Sequence, residues 1–304
     1  MKMLSLLTRA GAFIAVILLG VFLRKIGLFK EDDFRVLSNI VIKITLPAAI
    51  ITSFSQNRIQ ADMLVLALLG FGGGLLYMLL AYWSNIRKDR TQKAFAVLNL
   101  PGYNIGAFAL PFTQSFLGPI GVVATCLFDT GNAFICLGGS YSIATMIQDG
   151  SGFSWKRMLK SLSQSVPFLC YMIMVPLNLL RVQLPGIVLE LAGIISNANA
   201  FMAMLAIGVG FKLSGDRRQL GSMAKILGIR YAVATVLALT YYFLLPFPLE
   251  IRQALVILAF SPIGSAVPPF TREMGGDVGL SSAINSTAIV ISTVMIVVLL
   301  NVML

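Results

Sequence analysis

The chain has 304 residues, of which 58% are hydrophobic and only 12% charged, and its formal charge is +11. An average soluble domain carries about twice that share of charge, which excludes the two soluble domains that length alone would allow. The excess of Lys and Arg does not indicate nucleic acid, because it lies in short loops between apolar runs, with no continuous basic face or stacking platform.

Apolar runs near the length that crosses a hydrocarbon core, about 20 residues, recur from end to end. In chain order they predict spans at 5–23, 36–55, 62–83, 94–117, 120–146, 162–180, 186–211, 224–246, 252–271 and 279–303. The first resembles a signal peptide in its basic start, but it ends in Arg24-Lys25 instead of a small-residue cleavage site, so it reads as a retained span. Alternate loops differ in charge. One side carries clusters such as Arg24-Lys25, Arg87-Lys88 and Arg217-Arg218, and the other only Lys2, Arg9, Arg58, Arg181 and Arg252. Basic loops stay cytoplasmic, so both termini are expected outside the cell or inner membrane. The fold expected is an all-α membrane protein of about ten transmembrane helices. It divides into two five-helix repeats of inverted topology, 1–150 and 151–304, with scaffold and transport parts interleaved across both.

Two of these spans contain their own breakers. The fourth reads LPGYNIGAFALP over 100–111 and the ninth FSPIGSAVPPF over 260–270. Proline inside a helix removes a hydrogen bond and clashes with the preceding turn, and unpaired backbone survives at membrane depth only inside protein or beside water. Interrupted segments at matching places in two halves point to a transporter's central site. Half-helices starting after a break offer free N–H groups to an anion, and unwound carbonyls offer themselves to a cation. A plain proline kink is the alternative reading, since neighbouring helices repair such losses.

Pro101, Asn104 and Pro111, with FDTGNAFICLGG at 128–139 and REMGGDVGLSSAINSTAIVIST at 272–293, resemble in order and spacing the auxin efflux carrier family. That family comprises bacterial transporters and the plant PIN-FORMED proteins. The resemblance runs along the whole chain. It implies a fold shared with the bile-acid:sodium symporter group, in which two broken helices cross in a bundle that moves against a scaffold. It also implies substrate contact at Asn104 and dimers formed through the scaffold. The second crossing departs from the pattern, with Pro262, Gly264 and Ser265 followed by Pro268-Pro269. The long cytoplasmic loop of the long plant carriers is absent, so auxin itself is not the expected cargo.

Ionisable groups inside spans are functional candidates by default. Lys43 and Asp129 both fall near mid-span, about 12 and 15 Å from the flanking ends at 1.5 Å per residue. They are candidates for an ion pair or for the coupling-ion position, with Asn132 on the face of Asp129. Arg230 also lies within a span. Asn197 and Asn199, mid-way in the seventh span, read as lining of the path or as interhelical hydrogen-bond glue. Glycines 72–74 read as a close-packing face, not a phosphate loop, and Asp277 as a helix cap.

The expected substrate site comprises Pro101, Asn104, Gly106, Pro111, Asn197, Asn199, Pro262, Gly264, Ser265 and Pro268, and the ion site Asp129, Lys43 and Asn132. The expected activity is secondary transport of a small organic anion such as a dicarboxylate, coupled to protons. Sodium coupling, a channel and an intramembrane enzyme are the alternatives. Without histidine the usual zinc and haem ligands are missing, and Cys126, Cys136 and Cys170 read as packing residues, so no metal or cofactor is expected.

Overall fold

The computed structural model describes residues 2–30, 32–211 and 219–304, so the expected basic loop with Lys212, Arg217 and Arg218 lies outside the described residues. Among the described residues there are helices and no strands. The first half runs α1 (Lys2–Lys25), α2 (Asp33–Ile40), α3 (Leu46–Gln56), α4 (Val65–Ser84), α5 (Arg90–Asn99), α6 (Leu110–Phe116), α7 (Pro119–Phe134) and α8 (Ser140–Asp149). The second runs α9 (Trp155–Gln164), α10 (Val166–Leu179), α11 (Gly186–Asn197), α12 (Asn199–Gly210), α13 (Leu220–Leu244), α14 (Leu249–Ala259), α15 (Val267–Glu273) and α16 (Val278–Met303).

Six helical stretches among the described residues are long and apolar enough to cross a membrane: Asp33–Gln56, Ala61–Ser84, Pro119–Asp149, Gly186–Gly210, Leu220–Leu244 and Val278–Met303. A seventh appears if α9 and α10 are joined, but these bend by 80° at Ser165. The physical cause is local. Pro167 fits the first turn of a new helix, and the Ser165 hydroxyl accepts from the Phe168 N–H as its cap. The expected span 94–117 is not one helix; α5 and α6 are separated by an unwound stretch and a π-helical turn at Ile105–Ala109. Likewise 252–271 divides into α14 and the short α15.

The outer faces carry large apolar side chains, such as Leu18, Ile187 and Val302, which are 60%, 78% and 80% exposed. The interior encloses polar ones, including Arg230, Asn99, Asn199 and Thr113. This inversion suits lipid, where exposed polar groups would go unpaired. The two halves of the chain interlock: α1 packs along α12 and α3 against α10 and α11, while within the first half α4 packs along α7. The α4–α7 contact is close because Gly70 and Gly131 lie on facing backbones, each too near the other helix to admit a Cβ. Gly73 and Gly74 meet the side chains of Tyr103 and Ile135, whereas Gly72 faces open space. Asp277 caps α16, accepting from the Leu280 N–H at 2.9 Å.

Candidate functional site

The two breaks are built from stereochemistry that each stretch carries in its own residues. After α5, Pro101 withholds an amide and Gly102 adopts φ +79°, a left-handed conformation that costs a side-chain-bearing residue about 1–2 kcal/mol. After α14, the chain unwinds through Pro262 and Gly264 before α15 begins. Cys136, in the π-helical turn Ile135–Gly139 that joins α7 to α8, places its sulfur where it would clash with a Cβ on Gly264 and would only crowd one on Gly102, at 3.3 Å. Glycine is therefore required at 264 by this neighbour and at 102 by the backbone conformation.

Pro268 does different work from that expected. It sits in the first turn of the half-helix that follows its break, where a missing N–H leaves nothing unpaired, whereas Pro111 lies within the helical run that begins at Ile105, just past the π-helical turn Ile105–Ala109. The unwound stretches are shorter than the proline spacing indicates, close to 100–104 and 260–266.

The breaks meet. The Asn104 N–H donates to the Pro262 carbonyl at 2.9 Å. Asn132 holds the first break from the side: its amide nitrogen donates to the Tyr103 carbonyl at 2.9 Å, and its oxygen accepts from the Tyr103 N–H at 3.0 Å. The same amide nitrogen donates to the Asp129 carboxylate at 2.8 Å. The other Asp129 oxygen accepts from the Tyr171 hydroxyl of α10 at 2.9 Å. Asp129 is thus linked through one side chain to the backbone of the crossing.

Two cavities border the crossing. One, of about 100 Å³, is lined by Asn104, Gly106, Asp129, Asn132, Gly264 and Ser265 among others. The second, of about 250 Å³, shares Asn104 and Ser265 and extends past Pro268 to Arg35, Arg272 and Asn285. The first has an acid in its wall and the second has two arginines. Pro101, Pro111 and Pro262 line neither.

Three expected site residues lie elsewhere. Lys43 is exposed, while the Asp129 oxygens are occupied by Asn132 and Tyr171, so the anticipated Lys43–Asp129 pair does not form. Asn197 is exposed at the rim of a separate cavity with Gln114 and Ser196. Asn199 is fully buried as a strut, accepting from Thr45 Oγ1 at 2.9 Å and donating to Gln114 Oε1 at 3.0 Å.

The sequence reasoning left Arg230 without a role, although a basic residue within an apolar span was the signal that would have found one. Its guanidinium is fully buried between the two breaks. Nη1 donates to the Leu100 carbonyl at 2.7 Å, and Nη2 lies 2.9, 2.7 and 3.1 Å from the carbonyls of Gly102, Ser261 and Pro262.

Residues 11–152 match the family described as membrane transport protein. An uncharacterized transporter of Methanothermobacter thermautotrophicus is 23% identical over 238 residues, which cover 77% of each chain. An uncharacterized transporter of Methanocaldococcus jannaschii is 25% identical over 205 residues, 64% of this chain and 65% of that one.

Proposed function

We propose that this chain, a membrane transport protein of the auxin efflux carrier family, carries small organic anions such as dicarboxylates by alternating access about the crossing. The observation behind this reading is the direct bond between two unwound breaks, Asn104 N–H to Pro262 carbonyl, bordered by two cavities. Irregular backbone at membrane depth needs water or protein around it, and here it is enclosed by protein and bordered by two cavities. Asn104 and Ser265 belong to both cavities, so a cargo held by them is reachable from either one. Arg35 and Arg272 in the wall of the larger cavity favour a carboxylate.

In this reading the ten-span, twice-repeated architecture applies: 5–23 falls within α1, and 94–117 and 252–271 are the crossing pair. A bundle bearing the crossing moves against a scaffold, both termini lie outside, and two copies associate through the scaffold. Asp129 carries the coupling proton. A carboxylate is an acceptor only, whereas its protonated form donates, so protonation alters the bonds to Tyr171 and to Asn132, and through Asn132 the hold on Tyr103.

Uptake of radiolabelled malate, malonate or indole-acetate into proteoliposomes, under an imposed proton or sodium gradient, tests the proposal. Saturable, proton-driven uptake with counterflow is expected. Asp129→Asn is expected to abolish gradient-driven accumulation while keeping counterflow. Absence of gradient-dependent uptake for every carboxylate, or unchanged proton coupling in Asp129→Asn, refutes it.

A further inference from the structure

Carbonyls left free by unwound helices in a transporter interior are ligands for a cation. Here α5 and α14 both run toward the crossing and end there, so two negative helix ends meet at one point. The carbonyls of Leu100, Gly102, Ser261 and Pro262 converge within 2.7–3.1 Å of the guanidinium nitrogens of Arg230. The rings of Tyr77 and Tyr103 stand over that cation, with their centroids 5.1 and 5.4 Å from Cζ. Tyr77 is held in place by donating to the Arg230 carbonyl at 3.0 Å. The side chain has no exposed surface. This is a cation cage of four carbonyls and two aromatic faces, engaging both Nη atoms and leaving the buried Nε without a partner.

We propose that Arg230 is a tethered cation that permanently fills the cation position between the two breaks, so that this side chain sets the protein's ion specificity by denying the crossing to sodium and potassium. The covalent tether supplies the charge that two convergent helix ends require. A planar guanidinium presents five N–H donors in a fixed fork, which lets one side chain reach carbonyls of both breaks. A lysine ammonium is a compact point charge with three donors and does not span the same four oxygens. Binding both breaks at once also makes them move as one body. The inference rests on the backbone geometry of the crossing and not on which anion is carried. Failure of anion uptake leaves it standing, and it can fail while uptake persists.

The test uses the full chain purified in detergent and reads thermal unfolding. Wild-type protein is expected to melt at the same temperature in sodium, potassium and choline chloride of equal ionic strength. Arg230→Ala opens the cage, so it is expected to melt lower and to recover by about 3 °C or more with guanidinium at several times its dissociation constant. Urea at equal concentration is the control and gives no recovery. Arg230→Lys covers the case in which the alanine variant does not fold. It is expected to melt below wild type, again without sodium dependence. A wild-type melting point that rises in sodium over choline overturns the inference, as does a purified Arg230→Ala that melts like wild type or gains nothing from guanidinium.

Discussion

Replacing Asn132 by alanine should loosen the first break more than any loss of packing volume accounts for. The side chain is 2% exposed and makes both of its backbone bonds to one residue, Tyr103, at 2.9 and 3.0 Å. Tyr103 lies in the unwound stretch after α5, where no helical neighbour pairs its N–H and carbonyl. Hydrogen bonds between side chains in membrane proteins contribute on average about 0.6 kcal/mol, because the unfolded reference state finds other partners. Two such bonds set a floor of about 1.2 kcal/mol. A buried donor or acceptor left unsatisfied costs about 1–3 kcal/mol, so orphaning both Tyr103 groups sets a ceiling of about 6 kcal/mol. Asp129 also loses a partner, though it keeps Tyr171. The expected destabilisation is about 2–4 kcal/mol, read from reversible unfolding in mixed micelles. Asn197→Ala is the matched control, an exposed asparagine expected to change stability by less than about 0.5 kcal/mol. Equal stability losses in the two variants would refute the reasoning, since they would mean that water or a relaxed backbone replaces the Asn132 amide at no cost.

Gly264→Ala is expected to destabilise by about 1–3 kcal/mol through overpacking against the Cys136 sulfur, and Cys136→Ala in the same chain should recover most of that loss. Gly102→Ala should recover less with Cys136→Ala, because its φ of +79° remains strained for alanine whatever the space; thermal unfolding of the four variants separates the two cases. Glu250, in the first turn of α14, accepts from the Gly121 N–H at 3.0 Å and so caps the start of α7. Glu250→Ala should cost about 1 kcal/mol and Glu250→Gln less, since it loses only the charge–dipole part, about 0.3–1 kcal/mol; equal losses measured in micelles would show that the hydrogen bond adds nothing to the charge, and no loss in Glu250→Gln that the carboxylate charge contributes nothing.

What the sequence alone determined about this protein are the properties that reside in single residues and short windows. Apolar runs mark the membrane helices because transfer free energy sums along a helix. The two breaks were legible at 100–111 and 260–270 because a missing amide and a free φ belong to proline and glycine wherever they stand. Asp129 and Asn132 were legible as a pair because three residues along a helix share a face. The tertiary structure decided the remainder. Asn197 and Asn199 are two residues apart, yet one is exposed and the other fully buried, because the packing of α12 determines which side of the chain faces inward. Pro268 reads as a breaker but begins a helix, because proline is compatible with a first turn and sequence cannot locate that turn. Lys43 and Asp129 are both ionisable and both read as mid-span in the sequence, yet only Asp129 lines the crossing, since the π-helical turn at Val41–Thr45 and its packing leave Lys43 exposed. Arg230 reaches Leu100 across 130 positions and Ser261 across 31. No local pattern encodes that meeting, because the direction of a buried side chain is fixed by the helices that surround it and not by its neighbours along the chain.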